Sequence, residues 1–566
     1  MMRKKRWTAA ALSAVMGVST LSGCGTSALA PAEDMTESQA ASVEVNPAGE
    51  YPIVDDKITL TVLTTDNTYV GALENVDFVK WYEDMTNIHI EWTEIPKDGS
   101  EEKLNLMLST GNLPDIILGM TVNSSDVTSY GEDGTFLMLD DYIDEYGYEF
   151  NKVLEENEGL KSSITSPDGH IYALPSINDC LHNEYRTRAW INQDWLDAVG
   201  MDMPKTTEEF EAVLQAFKDQ DPNGNGIADE IPLLGNREAK NNVITWLMNA
   251  FIYMNASDQQ DPSTLYLYLD DGTLQFTPNK EEYREGLEWI HSLVEKGLID
   301  TTSFTQDETQ FKQVIRNEDA VSVGVIRADL ICTYTGQYVE TEDHRIDQYR
   351  VLEPLIGPDG FQYQPSYPWA GVKKGNFIIT NKCKYPEAAF RWADGWYNEE
   401  ASFYAWYGFE GRGWEQPPEG SVAMNGDEAL YEQLPVEGAE QTIRISNVFG
   451  NNTARLRESA VYREDDPTQR YSTEPVLYFA VKESLMPYAD SSKVVPPLSL
   501  TREESSEVSN IRAMVNDYVE ENMALFALGT KNVESEWDAY VKEFDALGLD
   551  RMMEIYQSAY DRQYKN

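Results

Sequence analysis

Between residues 57 and 118 the apolar pattern of the chain switches repeatedly between two periods. Lys57-Ile-Thr-Leu-Thr-Val-Leu63 is rich in β-branched and apolar residues and reads as a strand. A helix is expected from Ala72 to Met85, with Leu73, Val76, Val79 and Tyr82 along one side and Phe78 and Trp81 beside them. Ile88 to Trp92 reads as a second strand and Ser100 to Thr110 as a helix closed by Gly111-Asn112. Asp115 to Leu118 reads as a third strand. Strands separated by helices need crossover connections, and these build a parallel sheet. Ligands of such sheets sit beyond the carboxyl ends of the strands, which puts the polar turn Thr65-Asp66-Asn67 in a binding position.

Alternation continues in the middle of the chain. Helices are expected over Asp194–Val199 and Thr207–Lys218, the second opened by the N-cap signal Thr206-Thr207-Glu208-Glu209. Glu281–Lys296 is amphipathic and stopped by Gly297. Helix Glu308–Asn317 precedes a strand over Ala320–Val325, and strand Asn376–Thr380 precedes a helix over Pro386–Glu399 with Pro in its first turn. The chain beyond residue 501 is mostly helical. No short-period repeat occurs, which argues against a solenoid or propeller. A chain of 566 residues exceeds one core, so two to four domains or lobes are expected.

Charge narrows the partners. Asp and Glu number 97 against 44 Lys and Arg, a formal net charge of −53. Nucleic-acid affinity comes from basic residues neutralising phosphates, so no nucleic-acid partner is expected. An aromatic content of 11% argues against a disordered chain.

The start carries Arg3, Lys4, Lys5 and Arg6, then a mostly apolar stretch from Trp7 to Leu21. That stretch is shorter than the roughly 20 residues a membrane span needs and suits a secretory signal. No later stretch is apolar enough to span. Leu21-Ser22-Gly23-Cys24 resembles a bacterial lipobox. The resemblance implies cleavage of residues 1–23 and lipidation of Cys24, leaving the mature chain more acidic still. It would place the protein on the extracellular face of the bacterial cytoplasmic membrane. Residues 24–54 are small, polar and acidic and read as a flexible tether. With Cys24 acylated, Cys180, Cys332 and Cys383 remain, enough for one disulfide and read as buried thiols; no metal-type Cys spacing occurs.

Several stretches together resemble the extracellular solute-binding lipoproteins of bacterial carbohydrate ABC importers. They are the lipobox, the first strand and turn, and Gly111-Asn-Leu-Pro-Asp115. Asp194-Trp195-Leu196 with Pro204-Lys-Thr206, the helix–strand pair from Phe311 to Val325, and Asn376 to Asp394 follow in the expected order. The resemblance implies an α/β, two-lobed periplasmic-binding-protein-like fold with a sugar cleft between the lobes and extra C-terminal helices. The N-terminal lobe is expected over 55–187 and 366–440, and the C-terminal lobe over 188–365 and 441–566. It further implies a monomer that delivers an oligosaccharide to ABC permease subunits by cleft closure.

The sharpest single motif is Asp221-Pro-Asn223-Gly-Asn225-Gly226-Ile227-Ala-Asp229-Glu230. Counted from Asp221, oxygen side chains fall at positions 1, 3, 5, 9 and 10, with Gly at 6 and a main-chain carbonyl available at 7. This is the logic of an EF-hand loop. The acid expected at position 12 is Pro232 instead, and Asp229-Glu230 replaces it. The variant resembles the loop of alginate-oligosaccharide-binding proteins. Carried over by position, Asp221, Asn223, Asn225, the Ile227 carbonyl, Asp229 and Glu230 would hold a structural Ca²⁺. The alternative is a plain Asn/Gly turn.

A sugar offers apolar C–H faces to aromatic rings and hydroxyl edges to polar side chains. Asp66 and Asn67 follow the first strand, Arg188 and Trp190 sit where the chain should first cross lobes, and Arg327 follows the strand ending at Val325. Trp246 and Trp369 complete the candidates, with Trp369, Trp246 and Trp190 as stacking platforms. Trp195 and Trp392 lie at core spacing on helices and read as packing. Arg412 and Glu410, in Tyr407-Gly-Phe-Glu410-Gly-Arg412-Gly-Trp414, read equally as an ion pair. Two rivals stand beside this reading: a binder of uronates or another solute, and an anchored glycoside hydrolase. For the latter, the five His show no metal or general-base spacing and no G-x-S-x-G elbow occurs.

Overall fold

The computed structural model describes residues 43–66, 71–157, 159–178, 180–256, 262–434, 451–452 and 458–565. The expected signal at 1–23, Cys24 and Asn67 lie outside them. The tether expected over 24–54 does not reach residue 54. Val45 bridges to Val54, Ile53 and Val54 are fully buried, and Arg391 donates to the carbonyls of Asn46 and Glu50. An apolar Ile-Val pair at the end of a polar stretch is enough to dock it.

Among the described residues, the first sheet has six strands. β1 (Ile58–Thr65) pairs in parallel with β2 (Ile88–Ile95) from Ile58↔Ile88 to Thr65↔Ile95, and with β3 (Ile116–Leu118) at Val62↔Ile116. Successive side chains of β1 take opposite faces. Leu60 and Val62 join a core with Phe78, Tyr82 and Trp392, while Leu63 joins a second core with Leu104 and Leu108. Helices Asp77–Thr86 and Ser100–Thr110 therefore cover the two sides. Asp115 locks the β1–β3 edge: its carboxylate accepts from the Thr61 N–H and hydroxyl, both at 2.8 Å.

Two features of this sheet differ from the sequence reading. The helix expected from Ala72 is broken into a 3₁₀ turn, Leu73–Asn75, and a helix from Asp77, because Val76 takes extended backbone to bury beside Leu73. The sheet is also mixed rather than wholly parallel. β11 (Val372–Ile379) inserts antiparallel between β3 and β4 (Leu174–Asn178).

The second sheet has four strands among the described residues. β5 (Ala189–Asn192) is antiparallel to both β9 (Val323–Arg327) and β10 (Tyr349–Val351), and β6 (Ile231–Leu234) runs parallel to β9. Helix Thr207–Asp219 starts with a capping box between Thr206 and Glu209. It shares one core with Glu281–Glu295 and with the C-terminal helices Arg502–Ala527, Val533–Leu547 and Leu549–Tyr564. A hairpin of β7 (Leu267–Asp270) and β8 (Thr273–Phe276) is held by this helical layer, with Gln557 accepting from the Leu274 N–H. Trp195 and Trp392 are both 2% exposed, as their spacing predicts.

Short strands β12 (Trp414–Glu415) and β13 (Glu432–Gln433) pair with each other. β14 (Asn451–Asn452) pairs in parallel with β4, at the edge of the first sheet. A boundary at 440/441 therefore does not mark the chain's departure from that sheet. Val461 still bridges to Ala423, and only beyond it do Leu477 and Ala480 enter the core of the second sheet.

Candidate functional site

Among the described residues, the chain passes between the sheets at three places. Residues 180–188 lead from β4 into β5, residues 352–371 lead from β10 to β11, and the third passage follows Val461. A cavity of about 480 Å³ opens beside the third passage. From the side of the first sheet come Trp406 and Tyr407, at the end of helix Glu399–Tyr407, with Tyr431 and Gln433 near β13. From the other side come Gln337 and Glu474, and Tyr462 and Gln469 lie on the connecting segment.

Helix Glu399–Tyr407 starts where the Asn398 side chain accepts from the N–H groups of Glu400 and Ala401, and stops at Gly408, whose φ is +75°. Aromatic packing fixes the rings. Phe403 and Tyr431 meet edge-on at 4.9 Å, Tyr407 and Tyr431 lie 4.8 Å apart, and Tyr462 rests 5.0 Å from Phe479. Trp406 and Tyr462 are only half-buried. Rigid rings with apolar faces, among Gln and Glu side chains, suit a ligand with C–H faces and a hydroxyl rim.

None of the described residues expected from sequence to bind solute lines this cavity. Trp190 is 2% exposed and its indole N–H donates to the Ala328 carbonyl. Arg188 is fully buried, donating to the His182 carbonyl at 2.6 Å, and Arg327 donates to the Arg188 carbonyl at 2.9 Å. The reason is topological: β5 is paired along both edges and covered on both faces, so all four of its residues are buried. Burial lowers the Arg188 guanidinium to about 9 and raises the nearby Glu184 carboxyl to about 7. Trp246 packs edge-on against Phe210 beside a recess of about 10 Å³, room for one water. These four are therefore framework rather than displayed platforms or hydrogen-bonders.

Asp66 is exposed at the end of β1, where its carboxylate accepts from the Lys97 N–H at 3.3 Å. Trp369 is half-buried in the second passage, 5.9 Å from Tyr367. Arg412 pairs with Asp77 at 2.5 Å. The signal that could have located the cavity is the aromatic run from Phe403 to Trp414, which is apolar on every side of its helix. A helix apolar all round needs cover all round, so a face that the protein leaves half-open is a place for a ligand.

The acidic loop lies between helix Thr207–Asp219 and β6, on the second sheet. Asp221 accepts from the N–H groups of Asn225, at 3.1 Å, and Gly226, at 2.8 Å. The amide nitrogens of Asn223 and Asn225 both lie 3.1 Å from Asp229 Oδ1. Gly224 and Gly226 hold φ values of +71° and +76°, the left-handed turns that wrap the loop on itself. Glu230 Oε1 is buried without a hydrogen-bond partner. Burial, then repulsion from Asp229 and Asp221, holds the Glu230 carboxyl above its ordinary range. An orphaned carboxylate oxygen beside two more carboxylates and two amide groups fits a hard cation with oxygen ligands. Among the described residues, Cys180, Cys332 and Cys383 form no disulfide, and no helix is long and apolar enough to cross a membrane.

Comparison with known proteins agrees with this architecture. The fructooligosaccharide ABC transporter substrate-binding protein FusA of Streptococcus pneumoniae is 28% identical over the full length of both chains. Its structure with kestose superposes with a TM-score of 0.69, covering 90% of this chain and 99% of that one. A further FusA structure is of an EF-hand mutant in complex with fructo-nystose. A human-milk-oligosaccharide (HMO) binding, ABC-transporter-associated solute-binding protein from Bifidobacterium longum infantis shares the fold at 22% identity, with a TM-score of 0.74 and coverage of 90% and 99%. Alginate-binding protein AlgQ2, in a structure without calcium ion, matches at 22% identity and a TM-score of 0.63, covering 90% of this chain and 99% of that one. The family model described as bacterial extracellular solute-binding protein matches residues 77–423, and with the two sheets and the cavity between them it shows that this chain belongs to that family.

Proposed function

We propose that the chain captures an oligosaccharide in the cavity lined by Trp406, Tyr431 and Tyr462 and delivers it to the membrane subunits of an ABC importer. The aromatic cavity between the two lobes carries this reading. Closing the lobes on a bridging sugar would make a bound form distinct from the free one, and the permease would read that form. A lipid on Cys24 would keep the body at the extracellular face of the membrane. FusA, which is similar along its whole length, favours a neutral fructo-oligosaccharide of the kestose type. Calorimetric titration of the full chain with kestose, neutral gluco-oligosaccharides and oligo-uronates tests the reading. Binding of a neutral oligosaccharide without its hydrolysis supports it; binding of uronates alone, or release of cleaved sugar, contradicts it.

The loop from Asp221 to Glu230 would hold a structural Ca²⁺ through Asp221, Asn223, Asn225, the Ile227 carbonyl, Asp229 and Glu230. The ion would relieve the carboxylate repulsion and tie helix Thr207–Asp219 to β6. At an extracellular-type affinity of about 10⁻⁴ M, about 2 mM Ca²⁺ should stabilise the chain by roughly 1.8 kcal/mol. EDTA should lower the melting temperature by about 1–3 °C, with excess Ca²⁺ restoring it more fully than Mg²⁺. An unchanged melting temperature, with no metal in the purified protein, would refute the site.

A further inference from the structure

Cys180 and His182 lie in the first passage between the sheets, and Glu474 lies in helix Thr473–Phe479 of the third. Their donor atoms converge. Cys180 Sγ is 3.1 Å from His182 Nδ1 and 3.8 Å from Glu474 Oε2, and His182 Nδ1 is 3.7 Å from Glu474 Oε2. Bonds of about 2.3 Å to sulfur and 2.0–2.1 Å to nitrogen and oxygen, in a tetrahedron, set neighbouring donor atoms roughly 3.3–3.6 Å apart. The observed triangle brackets that spacing. Cys180 and His182 are buried, at 5% and 6% exposure, while the Glu474 side chain is 37% exposed and also lines the cavity. The centre is thus held by the protein and reached from solvent.

The donor types select the ion. Thiolate and imidazole are poor partners for Ca²⁺ or Mg²⁺, which take oxygen, and good ones for borderline-soft divalent cations. A thiolate and a carboxylate together neutralise a +2 charge. Arg188 donates to the His182 carbonyl at 2.6 Å and so fixes the backbone that carries the imidazole. With three protein ligands, the fourth position of a tetrahedral ion stays open.

We propose that Cys180, His182 and Glu474 form a binding site for a zinc-type divalent cation, tying the first passage between the lobes to the third beside the cavity. This goes beyond oligosaccharide capture and does not depend on it. The sulfur ligand makes the site separable from the all-oxygen loop. In Ca²⁺-saturated buffer, the reduced full chain titrated with Co²⁺ should develop a thiolate-to-cobalt charge-transfer band at one equivalent, and Zn²⁺ should displace it. Cys180→Ser should abolish the band and Cys383→Ser should leave it intact. Glu474→Gln, at a half-exposed position, should weaken Co²⁺ binding about tenfold or more while the circular dichroism stays that of the wild type. Absence of the band in chain whose Cys180 is shown to be reduced, its persistence in Cys180→Ser, or unweakened binding in Glu474→Gln would overturn the proposal.

Discussion

Trp406→Ala should weaken oligosaccharide binding by about 30-fold or more and leave the melting temperature within a degree or so of the wild type. The first half follows from position. Trp406 is half-buried and lines the cavity, so a sugar stacked on its indole would remove the remaining ring surface from water. Buried aromatic anchors of this kind typically contribute about 2 kcal/mol or more, which is roughly 30-fold in Kd. The second half follows from packing. Phe403, Tyr407 and Tyr431 contact one another directly, and Tyr431 is 1% exposed, whereas Trp406 is half-buried and has less buried surface to lose. Parallel calorimetry and thermal melts check both. An equal loss of affinity and stability would mean that Trp406 is framework, and that the sugar stacks elsewhere.

Trp392→Ala should have the opposite profile. Trp392 is 2% exposed in the core of the first sheet, edge-on to Tyr82 at 5.8 Å and to Trp396 at 5.4 Å. Its carbonyl accepts the Tyr82 hydroxyl at 2.7 Å. Deleting a buried indole removes its transfer free energy and leaves a cavity that the clamped rings cannot close, a cost of about 3–5 kcal/mol. Urea unfolding should show that loss, whereas sugar affinity, measured cold where the variant is folded, should change less than about threefold. The EDTA response should persist, because the acidic loop lies on the other sheet. A shift under 1 kcal/mol would mean that the core relaxes around the gap, against the packing described here.

The two tryptophans show what the sequence made legible. Trp392 and Trp195 could be assigned to cores because helical spacing states which side of a helix is apolar. The same logic recovered β1 to β3, their helices and the capping box at Thr206. Strands of three or four residues such as β5 and β10 escaped it, being too short to show a period. The insertion of β11 between β3 and β4 is a long-range pairing that no local pattern encodes. Arg188, Trp190, Trp246 and Arg327 were chosen because the ends of strands and hinges are where ligands bind. The two central strands of a four-stranded sheet hold Trp190 and Arg327, and Arg188 is buried immediately before the first of them. The acidic loop was legible because its oxygens are consecutive in sequence. The aromatic cavity was not, because Trp406, Tyr431 and Tyr462 come from separate segments and meet only after the chain has returned to the first sheet a last time.

Amide hydrogen exchange of the full chain, with and without saturating kestose or whichever oligosaccharide the titrations select, tests the central claim most directly. Capture between the lobes predicts slowed exchange in Glu399–Tyr407 and, in the same experiment, in Thr473–Phe479 across the cavity. Protection confined to one of these segments, or centred on Trp246 or Trp369 instead, would contradict it.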